Sequence, residues 1–161
     1  MIKKLFAVLL VAGLLVACGG KKAAYNYSQD IVSKERSLEP QITLTETQVE
    51  RYAGAQQFDS MAAVSERMES LVQKKIDEIE AMKVPKAKEV DNFRAAIMRY
   101  FKYIKSIYTG YKNVAKADSP EERQKLAQEL VDLANKKNEE IREMQEVQRK
   151  YAKANGFRVE N

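Results

Sequence analysis

From Tyr25 onward the apolar residues recur at intervals of three and four. That spacing stacks them on one face of an α-helix, because side chains three and four apart lie one above another. A first segment, about Tyr25 to Tyr52, carries Ile31, Leu38, Ile42, Thr45, Val49 and Tyr52 on such a stripe. Pro40 lies inside it, and an interior proline removes a hydrogen bond and clashes with the preceding turn, so a kink or break is expected near Leu38 to Pro40. Gly54 is expected to end the segment. A second segment, about Gln57 to Met82, repeats Phe58, Met61, Ser65, Met68, Val72 and Ile79, with Leu71 and Ile76 alongside. Val84-Pro85 marks the turn out, since proline suits a first helical turn.

The third segment, Pro85 to about Ala117, has the most regular stripe: Val90, Phe93, Ile97, Tyr100, Ile104, Ile107, Tyr111 and Val114, widened by Phe101 and Tyr108. The fourth starts at Asp118-Ser119-Pro120-Glu121-Glu122, where Ser119 can cap, Pro120 fits the first helical position and two glutamates face the positive helix end. Leu126, Leu130, Leu133, Ile141, Met144, Val147 and Tyr151 form its apolar face. Lys137 interrupts that face and is expected to turn its ammonium outward. Asn155-Gly156 reads as a stop, with Phe157 expected to fold back on the last turn. No strand alternation occurs. Four amphipathic helices joined by short turns bury four stripes most economically as an all-α, antiparallel up-down four-helix bundle, here over residues 25–161.

The chain before Tyr25 has a different pattern. Lys3 and Lys4 precede an apolar run from Leu5 to Ala17 that exits through small residues, the plan of a secretory signal peptide. The run is 13 residues long, short of the ~20 needed to span a bilayer core. Its end, Leu15-Val16-Ala17-Cys18, resembles the lipobox of bacterial lipoproteins. The resemblance implies cleavage before Cys18, a diacylglycerol on its sulfur and acylation of the new amino group. Residues 1–17 are then a removed signal peptide, and residues 18–24 a lipidated cysteine with a short Gly-Gly-Lys-Lys-Ala-Ala tether. Two or three acyl chains hold a protein on a membrane almost permanently. In such lipoproteins Asp after the cysteine retains the protein at the inner membrane, and Gly19 is not Asp, which implies carriage to the outer membrane. Lys21-Lys22 is not the acidic motif that exports some lipoproteins to the cell surface, and the facing side, periplasmic or external, stays open.

Ala24-Tyr25-Asn26-Tyr27-Ser28, followed by Ile31, Val32 and Glu35, together with the four-helix plan, is similar to small helical surface lipoproteins of Gram-negative bacteria. That family carries no assigned activity, so the resemblance bears on fold and not on mechanism.

Removal of residues 1–17 leaves 144 of the 161 residues, enough for one domain. The 28 basic and 23 acidic side chains lose Lys3 and Lys4, so the mature balance is 26 against 23, or +3, too mild to argue for nucleic acid as a partner. There is no histidine and no tryptophan, and Cys18 is the single cysteine. The commonest general base, the commonest transition-metal ligand and a free thiolate are therefore missing. No catalytic residue, cofactor or metal site is expected.

Two groups remain as candidate binding residues. Arg99, Lys102, Tyr103, Lys105, Lys112 and Lys116 on the third segment suit an anionic glycan or lipid, unless they align with the acid-rich first two helices. Phe93, Tyr100, Tyr108 and Met68 suit a pocket for an apolar ligand, unless they are packed core. The expected function is a non-enzymatic helical binding or structural module, anchored to the membrane through Cys18 and engaging an envelope protein or an anionic surface. The alternative is a carrier holding a small hydrophobic ligand in the bundle core.

Overall fold

The structure is a computed structural model that describes residues 19–159. The stretch read as a signal peptide, and Leu15, Val16, Ala17 and Cys18 read as a lipobox, lie outside the described residues. The described chain is helical and contains no strand: α1 Gly19–Gly54, α2 Phe58–Glu80, α3 Val90–Lys116, α4 Pro120–Asn135 and α5 Lys137–Ala154. Helices α4 and α5 are the two halves of the fourth rod, so the four-helix bundle read from the stripes is the observed fold.

Residues 19–24 of the stretch read as a tether are helical and continuous with the bundle. Ala24 is fully buried, and its carbonyl accepts a 3.0 Å hydrogen bond from the Tyr151 hydroxyl on α5. This contact holds the first turns against the fold. Nor does Pro40 end the helix: it sits inside the 36-residue α1. Both Pro40 and Arg36 are exposed, so the carbonyl that loses its helical donor lies on the solvent side, open to hydration.

Helix α1 stops just beyond Gly54 in a Schellman arrangement. Gln57 N–H donates to Tyr52 O at 2.8 Å, Gln56 N–H donates to Ala53 O at 3.1 Å, and Gln56 takes a left-handed φ of 55°. The same motif ends α5 with a better-suited residue. Phe157 N–H donates to Ala152 O at 3.0 Å, Gly156 has φ 74°, and the Phe157 ring packs edge-on to Tyr151, as the sequence led us to expect.

Helix α3 is the central rod, packing on α2, α4 and α5. Phe93, Ile97, Tyr100, Phe101, Ile104, Ile107 and Tyr108 are buried along it, against Met68, Val72, Ile76 and Ile79 of α2 and Ile31, Leu38 and Ile42 of α1. A second, smaller cluster closes the far end with Val49, Met61, Val64 and Val114. Among the described residues the buried positions run from Ala24 to Ala152. Gly110 permits a close approach of α4, since a Cβ there would lie 2.7 Å from Leu130 Cδ1.

Two further boundaries differ from those read in the sequence. Helix α3 starts at Val90 and not at Pro85, because residues 81–89 form a turn held from α5: Asn155 accepts from Lys88 N–H at 3.2 Å and donates to Lys88 O at 2.8 Å. The fourth rod is interrupted at Lys136. Lys137, just beyond the interruption, is half-buried. Burial lowers its pKa, with the charge of Glu46 opposing. At the start of α4, Ser119 caps by accepting from Glu122 N–H at 3.1 Å.

Candidate functional site

The α3 basic residues do not form one open face. Lys112 pairs with Glu69 of α2, Lys105 donates to Gln73 Oε1 at 2.7 Å, and Lys116 lies 3.8 Å from Glu66. On the other flank Arg99 pairs with Glu143 and approaches Glu140 at 3.2 Å. Tyr103 is only 7% exposed, and its hydroxyl donates to Leu133 O at 3.3 Å. Burial, with the charge of Glu140, pushes its pKa up to about 12. Lys102 alone of the six is exposed without an ion pair among the described residues. The reason is positional: residues flanking a buried stripe meet the flanking residues of the neighbouring helix, and here α2 and α5 present acids. Burial alone would raise Glu69, but hydrogen bonds from Lys112 and Thr109 and the charges of Lys112 and Lys105 outweigh it and hold the carboxyl below its ordinary value.

The four residues read as a core pocket are packed core. Phe93, Tyr100, Tyr108 and Met68 are all buried. The Phe93 ring stacks on Tyr151 with centroids 4.5 Å apart, and Tyr100 sits edge-on to Phe101. The same interior holds polar groups that the stripe analysis missed. Ser28 and Glu35 lie two turns apart on the buried face of α1, and Gln148 lies between Met144 and Tyr151 on α5. Glu35 is 2% exposed and Gln148 1%. Both polar atoms of the Gln148 amide, one Glu35 oxygen and the Ser28, Tyr27 and Tyr108 hydroxyls have no hydrogen-bond partner among the described residues. Burial raises Glu35 to about 8, against a hydrogen bond with Tyr100 and the charge of Arg36. Glu46 is raised to about 7, mainly by burial, with Lys137 opposing. Only period and not polarity marks such positions in a sequence, and Glu35 keeps the period.

The antiparallel topology also gathers cations at one end of the bundle. Lys21 and Lys22 come from the start of α1. Lys83, Lys86 and Lys88 come from the turn before α3. The end of α5 and the residues after it add Lys150, Lys153 and Arg158. All eight are exposed, and residues 19–24, 81–89 and 150–159 contain a single acid, Glu89. None of the eight forms an ion pair among the described residues. A groove of about 730 Å³ opens here, lined by Lys21, Lys86, Lys88 and Lys153 around Asn155 and Gly156. The paired Asn155–Lys88 bonds, the Tyr25–Phe157 ring contact at 5.7 Å and the Lys21 side chain beside Gly156 hold the three segments together. Each segment looks unremarkable alone, but up-down topology brings them together and would have revealed the patch.

Among the described residues no group of three or more acidic, histidine or cysteine side chains is placed to hold a metal ion. No helix among them is long and apolar enough to cross a membrane. No protein-family model matches the chain, and no curated protein and no solved structure is similar to it, so the functional reading rests on the residues themselves.

Proposed function

We propose that the chain is a lipid-anchored, non-enzymatic helical module of the bacterial cell envelope, tethered through Cys18 and carried to the outer membrane, where it works by binding. The observation that supports this most is the junction between anchor and fold. From Gly19, the residue after Cys18, the described chain is already helical, and the Tyr151–Ala24 hydrogen bond fixes it to the core five residues further on. An acyl chain on Cys18 would therefore hold one chosen end of the bundle at the membrane surface and point the long axis of α1, about 54 Å, away from it. Carriage of an apolar ligand has less support, because Phe93, Tyr100, Tyr108 and Met68 are engaged in packing.

The test is metabolic labelling with radioactive palmitate in a bacterial host. The full-length chain should be labelled and processed, and Cys18→Ser should accumulate as an unlabelled precursor. Equal labelling of the variant would refute the anchor.

A further inference from the structure

The charge of this bundle is strongly polarised along its axis. At the entry end, where Gly19 lies, residues 19–24, 81–89 and 150–159 hold eight exposed cations and one acid, with exposed Glu80 and Asp91 at the margin. At the opposite end, residues 51–60 and 113–124 hold three cations and four acids. Most lysines on the flanks of α3 are matched by acids or amides of α2, whereas the entry-end lysines project into solvent. We infer that the entry end is a docking face for an anionic bilayer, with Lys21, Lys86, Lys88 and Lys153 seating phospholipid phosphates in the groove they line. The inference deepens the lipid-anchor reading and rests on it for orientation only.

Three observations select a bilayer as the occupant. Eighteen residues precede Gly19, and on the anchor reading the last of them carries the lipid, so this end already faces head groups. The cations come from three segments and spread across the whole end of the bundle, which suits a surface of many phosphates. Lysine is a compact point charge on a long stem, fitted to phosphate without a fixed geometry. A basic patch beside an acyl anchor is also the second signal that makes anchoring stable, each lysine near an anionic surface adding to the attraction.

The experiment uses residues 18–161 carrying Cys18→Ser, which contain every buried residue described above, Ala24 to Ala152, and carry no lipid. Binding is measured by co-sedimentation with phosphatidylcholine vesicles, with and without phosphatidylglycerol. Binding is expected only with phosphatidylglycerol, and it should weaken steeply from about 0.1 M to about 1 M salt, as the Debye length falls from ~10 to ~3 Å. The triple variant Lys86→Glu, Lys88→Glu, Lys153→Glu should bind about a hundredfold more weakly or worse. A variant of equal charge, Lys102→Glu, Lys125→Glu, Lys136→Glu, changes exposed lysines away from this end and should lose less than about threefold by the same reasoning. Melting curves for both variants establish that they are folded, and the milder Lys86→Ala, Lys88→Ala, Lys153→Ala replaces the first if it is not. Equal loss in the two variants, binding without phosphatidylglycerol, or no binding at low salt would overturn the docking face. Release from vesicles by millimolar inorganic phosphate at constant ionic strength would also overturn it, in favour of a site for free phosphate. Palmitate labelling at Cys18 is measured separately, so failure of the anchor and failure of the docking face give different results.

Discussion

Replacing Glu35 by glutamine should stabilise this fold, and by an amount that grows with pH. Glu35 is 2% exposed, and burial raises its carboxyl from the ordinary 4.5 to about 8, with the Tyr100 hydrogen bond and the charge of Arg36 opposing and Glu39 adding to the rise. Between those two values the folded protein holds a proton that the unfolded chain has released. The fold therefore gains stability from protonated Glu35 at low pH, loses it steadily as pH rises from about 4.5, and levels off above about 8. At 1.36 kcal/mol for each pH unit, the gap from 4.5 to about 8 amounts to ~5 kcal/mol as an upper figure. That is a large share of a typical 5–15 kcal/mol net stability. Glutamine keeps the shape and the capacity to bond Tyr100 but cannot ionise. Glu46, raised to about 7, slopes the same way in both proteins and cancels from the comparison. Glu69 and Glu78, held below 4.5, slope the opposite way at the acid edge of this window and likewise cancel from the comparison. Urea and thermal unfolding followed by circular dichroism from pH 4.5 to 8.5 should show curves that nearly coincide at the acid end and diverge toward the alkaline end, with Tm for the variant higher there by ~10 °C or more. Parallel curves across the whole range would refute the reasoning, because they would mean that Glu35 ionises in the fold as easily as in water.

Two further predictions concern the rods themselves. Ile104 is 1% exposed at the centre of α3, and Ile104→Asp places an unpaired charge in the core at a cost of several kcal/mol, so a cooperative melt should be lost; an unchanged Tm would mean that α3 is not central. The two Schellman stops make a matched pair: Gly156→Ala forces an alanine into φ 74° against the Lys21 side chain and should cost ~1–2 kcal/mol, whereas Gln56→Gly relieves a left-handed glutamine and should raise Tm by a few degrees. Equal signs for the two substitutions in chemical denaturation would contradict the assignment of those stops.

Much of the fold was legible because helix formation leaves local marks. The alternation of three and four along Val90 to Val114 is the buried stripe of α3, and Ser119-Pro120 and Asn155-Gly156-Phe157 mark ends that the structure places within a residue or two. Of the kink or break expected at Pro40, the break does not occur, because Pro40 and Arg36 lie on the solvent side of α1, where the freed carbonyl is open to water. The break at Lys136 was hidden because Leu133 and Ile141 are spaced so that one continuous helix also accommodates them.

The candidate sites depended on neighbours that no local pattern records. The sequence leaves open whether the α3 cations form a binding face or pair with neighbouring helices, and most of them pair, with Glu69, Glu66, Glu140 and Glu143 opposite. The lysines near residues 21, 86 and 153 looked unrelated until antiparallel packing placed them around one groove. The chain's own order of residues thus specifies which surfaces are apolar and where each helix begins and ends, because those properties arise within a few turns. Which charges are neutralised, which acid is shut away from water and which end of the bundle is cationic arise from side chains distant in the chain meeting across helices, and lateral packing alone sets those partners.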